Sequence, residues 1–203
     1  MKNSLLLLLT LFLFSSNIFA QSDVLMRSDY GSDNVDLQSV LSFEGISMEK
    51  LTFSSSNLKG KDYLITIKDF VDGKLMKTDV AFDSKEDPYF KIREDKFVFR
   101  VLTKLTSENI VKFDFQFNGF SKRKEYKVAA NHKEFASKNF LGSKSEILIP
   151  FDKSNYILTY IMPYQKKDGS KQYCEVVQSG VNPEELGKKY GIPRYFLIEI
   201  KFQ

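Results

Sequence analysis

The side chains able to do chemistry are few in kind. The chain of 203 residues holds one histidine, His132, one cysteine, Cys174, and no tryptophan. One imidazole and one thiol build neither a histidine-rich nor a thiolate zinc site. A Cys174–His132 nucleophilic pair is arithmetically available, but neither "KQYCEVVQ" nor "ANHKEF" resembles a nucleophile motif. The polar surroundings of His132 place it on the surface. Cys174 reads as a small, buried, inert hydrophobe, with pairing to a partner chain as the alternative.

Carboxylates are plentiful, 26 Asp and Glu. Glycoside hydrolysis needs two carboxyls about 5 Å or about 6.5–9.5 Å apart, a distance that sequence does not carry. The loops "SDYGSD" (28–33) and "DSKEDPY" (83–89) gather carboxylates without the spacing of a calcium loop. A glycine-rich phosphate loop, a GxSxG elbow and an HExxH pair are all absent from the sequence. These residue types point to no catalytic residue, no metal site and no cofactor, and favour a protein that acts by binding.

The N-terminus has the layout of a secretory signal peptide over residues 1–20. Lys2 is followed by the apolar run Leu5–Phe14, then by Ser15, Ser16, Asn17 and the small residue Ala20. The run is shorter than the roughly 20 residues of a membrane span, which predicts export without stable membrane insertion after cleavage. The 30 Lys and Arg against 26 Asp and Glu give a net charge of +4, and loss of Lys2 with the signal leaves +3. So small a charge on an exported chain argues against nucleic acid as partner. The charge is also uneven. Asp23, Asp29, Asp33, Asp36, Glu44 and Glu49 dominate the stretch up to residue 49, and bases dominate 122–144. A lone cysteine means that packing, rather than intramolecular disulfides, holds an exported fold together.

The elements are mostly strands. "DYLITIKDFVDGKLMKTDVAF" (62–82) reads as a hairpin turning at Asp72-Gly73, and "KFVFRVL" (96–102) as a further strand. "YILTYIMPY" (156–164) and "KQYCEVV" (171–177) flank a second Asp-Gly turn, and "YFLIEIKF" (195–202) alternates as a half-buried strand. Weaker strand candidates are 37–43, 50–54, 89–93 and 147–151. One short helix has agreeing signals in "VNPEELGKKYGIP": Asn182 as cap, Pro183 at the first position, Gly191 and Pro193 at the stop. A second is suggested at Asn131–Gly142, where Glu134 follows Asn131 by three residues. The pattern predicts a mostly β protein, an antiparallel β-sandwich with one or two short helices. It is either one extended sandwich or two immunoglobulin-like ones, with halves 21–104 and 105–203 meeting near Thr103–Asn109 and the helix near 183–190.

"VKFDFQFNGFSKRKEYKV" (111–128) holds four phenylalanines in eight residues. Asn118-Gly119 predicts a two-residue type I′ turn. That register sets Phe117 against Phe120, Asp114 against Arg123 and Lys112 against Glu125. Val111, Phe113, Phe115 and Phe117 then share a face with Phe120 and Tyr126, and Lys122 and Lys124 fall on that face too. Burial of several phenylalanines contributes about 1.5–3 kcal/mol each, so the aromatic face is expected to be core with a lysine fringe. The basic residues Lys122, Arg123, Lys124 and Lys127 are the candidate binding surface, with the segment around Glu184 and Lys188. The function these readings favour is non-enzymatic protein binding by a soluble component of a cell-envelope or extracellular assembly, in the periplasm or outside the cell. The partner would be another envelope or extracellular protein. A carbohydrate or small-ligand binding module and a carboxylate-dependent hydrolase are the alternatives.

Overall fold

The computed structural model describes residues 23–166, 168–173 and 180–203. The expected signal peptide and Cys174 lie outside the described residues. Strand β1 (Asp23–Tyr30) crosses through helix α1 (Val35–Phe43) to β2 (Ser47–Ser54). A hairpin of β3 (Tyr63–Val71) and β4 (Lys74–Asp83) follows, then 3-10 turns at Ser84–Glu86 and Pro88–Phe90. β5 (Lys96–Leu105), β6 (Ile110–Gln116) and β7 (Ser121–Lys127) form a meander. β8 (Ala136–Asn139), β9 (Glu146–Pro150) and β10 (Asn155–Ile161) lead to a short ladder of β11 (Tyr164–Gln165) and β12 (Lys171–Gln172). A 3-10 turn at Pro183–Glu185 runs into α2 (Leu186–Tyr190), and β13 (Arg194–Phe202) completes the second sheet.

Among the described residues these strands form two antiparallel sheets, in the orders β7-β6-β5-β2-β1-β9 and β4-β3-β13-β10-β8, with β11-β12 apart. The protein is a β-sandwich. Both sheets draw strands from both halves of the chain: β3 pairs with β13, and β5 pairs with β6 across Thr103–Asn109. That segment is a hairpin connection, closed by Thr106 N–H donating to the Ile110 carbonyl at 2.9 Å. Period-two alternation sends Leu51, Phe53, Ile65, Ile67, Val101, Phe113, Phe115, Ile198 and Ile200 into the space between the sheets, where all are buried.

A second, smaller apolar cluster covers one end of the outer face of the β3-β13-β10 sheet. Phe70, Tyr195, Leu197 and Ile161 meet Leu186 and Ile192 there, and the Phe70 and Tyr195 rings stack at 4.7 Å. The α2 segment reaches this face because its start and stop are written locally. The Asn182 side chain accepts from Glu184 N–H, Pro183 opens the 3-10 turn, and Gly191 at φ 65° ends the helix. The Asp72-Gly73 turn has positive φ at both residues, 48° and 72°, and lies directly against α2.

Several local expectations fail, each for a physical reason. Residues 37–43 belong to a helix, not a strand. The Asn34 carboxamide accepts from Leu37 N–H at 2.9 Å, Asp36 sits in the first turn, and Gly45 follows at φ 64°, so cap signals outweigh the apolar content. Residues 89–93 fall in the 3-10 turn and loop, because the Asp87 carboxylate caps Tyr89 N–H at 2.7 Å. The helix suggested at 131–142 gives way to β8, with Glu134 at φ 63°. Pairing of 136–139 with β10 satisfies that backbone instead. At Asn118-Gly119 only the glycine takes positive φ, 89°, so the turn is not type I′. The expected register nevertheless holds, with Phe117 N–H donating to the Phe120 carbonyl at 2.9 Å and the two rings stacked at 4.6 Å.

Gly187 packs closely against the Gly73 backbone. A Cβ on Gly187 would stand 2.7 Å from Gly73 Cα and 2.8 Å from Tyr195 Cε1. Gly187→Ala should therefore lower stability by about 1–3 kcal/mol as an overpacking defect, read as a reduced urea midpoint with unchanged slope. A midpoint equal to wild type would mean that the hairpin and α2 are not in contact in solution.

Candidate functional site: an aromatic cleft with a cationic rim

Between the starting end of β5, the β6–β7 turn and the 3-10 segment lies a cleft of about 460 Å³. Its floor is aromatic: Tyr63, Phe90, Phe97, Phe117 and Phe120 line it. The rings are locked against one another, Phe90 to Phe120 at 4.7 Å and Tyr63 to Phe97 at 4.4 Å. Phe82 stands behind them in the core, 5.2 Å from Phe120. The rim carries Lys91, Arg93 and Lys96 against one carboxylate, Glu94.

The wall of this cleft is anchored by hydrogen bonds of adjacent segments. Ser84, fully buried, accepts from Tyr63 N–H at 2.8 Å and donates to the Asp62 carboxylate at 3.0 Å. Gly60 N–H donates to the Ile92 carbonyl at 2.7 Å, and Ile92 N–H donates to the Lys61 carbonyl at 3.0 Å. The rim cations differ in freedom. Lys91 pairs with Asp62 at 3.4 Å, and the Arg93 guanidinium lies 4.8 Å over the Tyr89 ring. Lys96 makes no ion pair among the described residues. A packed apolar floor beside Lys96 and the Arg93 guanidinium, neither of them in an ion pair among the described residues, suits an apolar or aromatic group that carries a carboxylate.

The sequence-predicted basic residues lie elsewhere. Lys122, Arg123, Lys124 and Lys127 all sit on β7, at one edge of the six-stranded sheet. Alternation divides them. Lys122 and Lys124 stand opposite Phe115 and Phe113 on the inner face, and Arg123 and Lys127 point outward. Arg123 and Lys112 face Asp114 and Glu125 at 4.0 and 3.1 Å. The lysine fringe is one of four devices that blunt the sheet edges. β9 ends in Pro150, β8 has four residues, and β4 carries register shifts beside Ile65/Thr66 and Asp69/Phe70 with Lys74 and Lys77 exposed. Strand addition at an edge is thereby disfavoured.

Two polar clusters, one half-buried and one buried, complete the chemistry. On the outer face of the second sheet, Lys68 Nζ contacts Glu184 Oε1 at 2.6 Å and Glu199 Oε1 at 3.0 Å. Tyr156 donates to Glu184 at 2.8 Å and Thr66 to Glu199 at 3.0 Å. The Lys68 and Tyr156 hydrogen bonds hold the Glu184 carboxyl below its usual range. Both carboxylates are thus spent on one ammonium and two hydroxyls, a clasp that ties the C-terminal segment to the sheet. Lys188, the other residue singled out there, is exposed.

At the β4–β7 side, Arg194 forks onto Asp69 at 3.1 and 2.7 Å. His132, expected on the surface, is instead buried beside this pair with 9% of its area exposed, and its Nδ1 has no hydrogen-bond partner. The apolar residues that flank its loop, Val128 and Phe135, draw it inward. Among the described residues, no group of three or more His, Cys, Asp or Glu is placed to hold a metal ion. No helix there is long and apolar enough to cross a membrane. Set against family models, curated proteins and solved structures, the chain matches none.

Burial, then the Arg194 charge, lowers the His132 pKa below its ordinary 6.5. The folded state therefore binds fewer protons than the unfolded chain, so stability present above pH 6.5 is lost as the pH falls through the folded pKa. Wild type should show a steeper decline in urea midpoint below pH 6.5 than His132→Gln. Parallel slopes would show that His132 titrates in the native state as it does in water.

Proposed function

We propose that this is an exported, non-enzymatic β-sandwich that works by binding a segment of a protein partner in the aromatic cleft. The partner would be another component of a cell-envelope or extracellular assembly. The observation that carries the reading is the preformed aromatic floor rimmed by Arg93 and Lys96 at an open end of the sandwich. Export rests on the apolar run Leu5–Phe14 and the small residue Ala20. The segment it fits presents one aromatic side chain next to a carboxylate. The ring would gain the buried apolar area, and the carboxylate would meet the rim cations, which set specificity and on-rate more than affinity. A second reading is supported by the cleft's volume alone, which falls in the range of small-ligand sites, about 300–1,000 Å³: a small aromatic anion without a peptide.

The absence of tryptophan from the chain makes the test clean. A short peptide containing Trp-Glu should show a saturable blue shift of its emission on adding the protein. Moderate salt should weaken the binding, and Arg93→Glu with Lys96→Glu should reduce affinity about tenfold or more, in line with about 1.4 kcal/mol or more of lost ion pairing. Absence of any shift at millimolar protein would remove the cleft as a peptide site. Equal binding of N-acetyl-tryptophan would favour the small-ligand reading.

A further inference from the structure

Among the described residues, helix α1 leaves most of its apolar side chains uncovered. Of its large apolar side chains only Leu41 is buried. Phe43 is 89% exposed, Val35 77% and Val40 57%. Such a cluster on a nine-residue helix is an apolar patch that marks an interaction site. The charge around it is acidic: Asp33 and Asp36 flank its start, and Glu44 follows Phe43. Its last turn contains no basic residue, so the partial negative charge of the helix C-terminus adds to those carboxylates. Lys104 of the same chain reaches Glu44 at 2.7 Å, leaving 47% of the Glu44 side chain exposed.

The cleft is the complement of this patch in both respects, an aromatic floor for an aromatic ring and a cationic rim for carboxylates. The two lie at opposite ends of the sandwich. α1 joins Tyr30 to Ser47, whereas Lys96 and Phe97 of the cleft pair with Ser54 and Phe53 at the far end of β2. Seven residue steps along β2 separate the ends by about 23 Å. A helix held at one end by its strands cannot reach the cleft at the other.

We infer that the occupant of the cleft is helix α1 of a second copy of this chain, with Phe43 seated on the Phe90, Phe117 and Phe120 rings and the acidic residues around α1 facing Arg93 and Lys96. The inference rests on the cleft reading given above and names its partner. Because the two surfaces differ, the contact is heterologous. Each copy keeps a free helix at one end and a free cleft at the other, so association propagates into a ring or an open filament.

Sedimentation velocity of the purified protein over a concentration series tests this. Wild type should form species larger than a dimer as concentration rises, less so at higher salt. Phe43→Asp alone, and Arg93→Glu with Lys96→Glu alone, should each be monomeric. These three side chains are exposed, so the variants should keep wild-type circular dichroism. Mixing the two variants pairs the intact cleft of one with the intact helix of the other and should stop at a two-chain complex. A wild type that is monomeric throughout overturns the inference. So does association that survives either variant, or a mixture that forms no complex. A monomeric wild type that still shifts the emission of the Trp-Glu peptide removes only the self-docking. Loss of both results removes the cleft reading as well.

Discussion

The fold hangs on the placement of its last strand. β13 occupies the centre of the second sheet, with β3 on one side and β10 on the other. It is apolar on both faces: Phe196, Ile198, Ile200 and Phe202 enter the main core, while Tyr195 and Leu197 enter the smaller one. Full burial of such side chains contributes about 1.5–3 kcal/mol each. β3 and β10 have each other only through β13, and α2 has a sheet face to cover only because β13 is in place. The second sheet is therefore bound by non-local pairings, a topology whose loop-closure cost precedes its reward.

The two polar clusters follow from that arrangement. A central strand that carries Glu199 outward and a neighbour that carries Asp69 inward bring charges into a poorly hydrated setting, where an unpaired charge is costly. Lys68 answers the first and Arg194 the second, at 3.0 and 2.7 Å. Among the described residues the carboxylates of both clusters are paired. What the sandwich leaves open is its end, where the β6–β7 turn and the segment after β4 cannot close over the last aromatic layer. The same phenylalanines are thus core along β6 and cleft floor at its turn. Phe113 and Phe115 are fully buried, whereas Phe117 and Phe120 are half-buried.

The local rules recover much of this in advance. The β3–β4 and β6–β7 hairpins, the register of the second and the capped α2 follow from period-two alternation, Asp-Gly and Asn-Gly pairs, and an Asn-Pro start with a Gly stop. Each of those signals acts over a few residues. α1 was equally legible from Asn34, Asp36 and Gly45, but the apolar content of 37–43 pointed to a strand. The cleft was harder to foresee. Arg93 and Lys96 are ordinary surface residues in "KIREDKFVF", and they gain meaning only because Tyr63 and Phe120, distant in sequence, arrive beside them.

The amino-acid sequence by itself determined the β architecture, the lysine fringe that blunts β7 and the helix that ends the C-terminal excursion, because propensity, capping and cross-strand charge are short-range. Tertiary structure alone decided that His132 is buried, that Glu184 and Glu199 share Lys68, and that the aromatic turn opens into a cationic cleft. Those outcomes depend on which strands become neighbours. Strand order is set by the burial of whole faces against each other, a property of the assembled sandwich that no short window of residues contains.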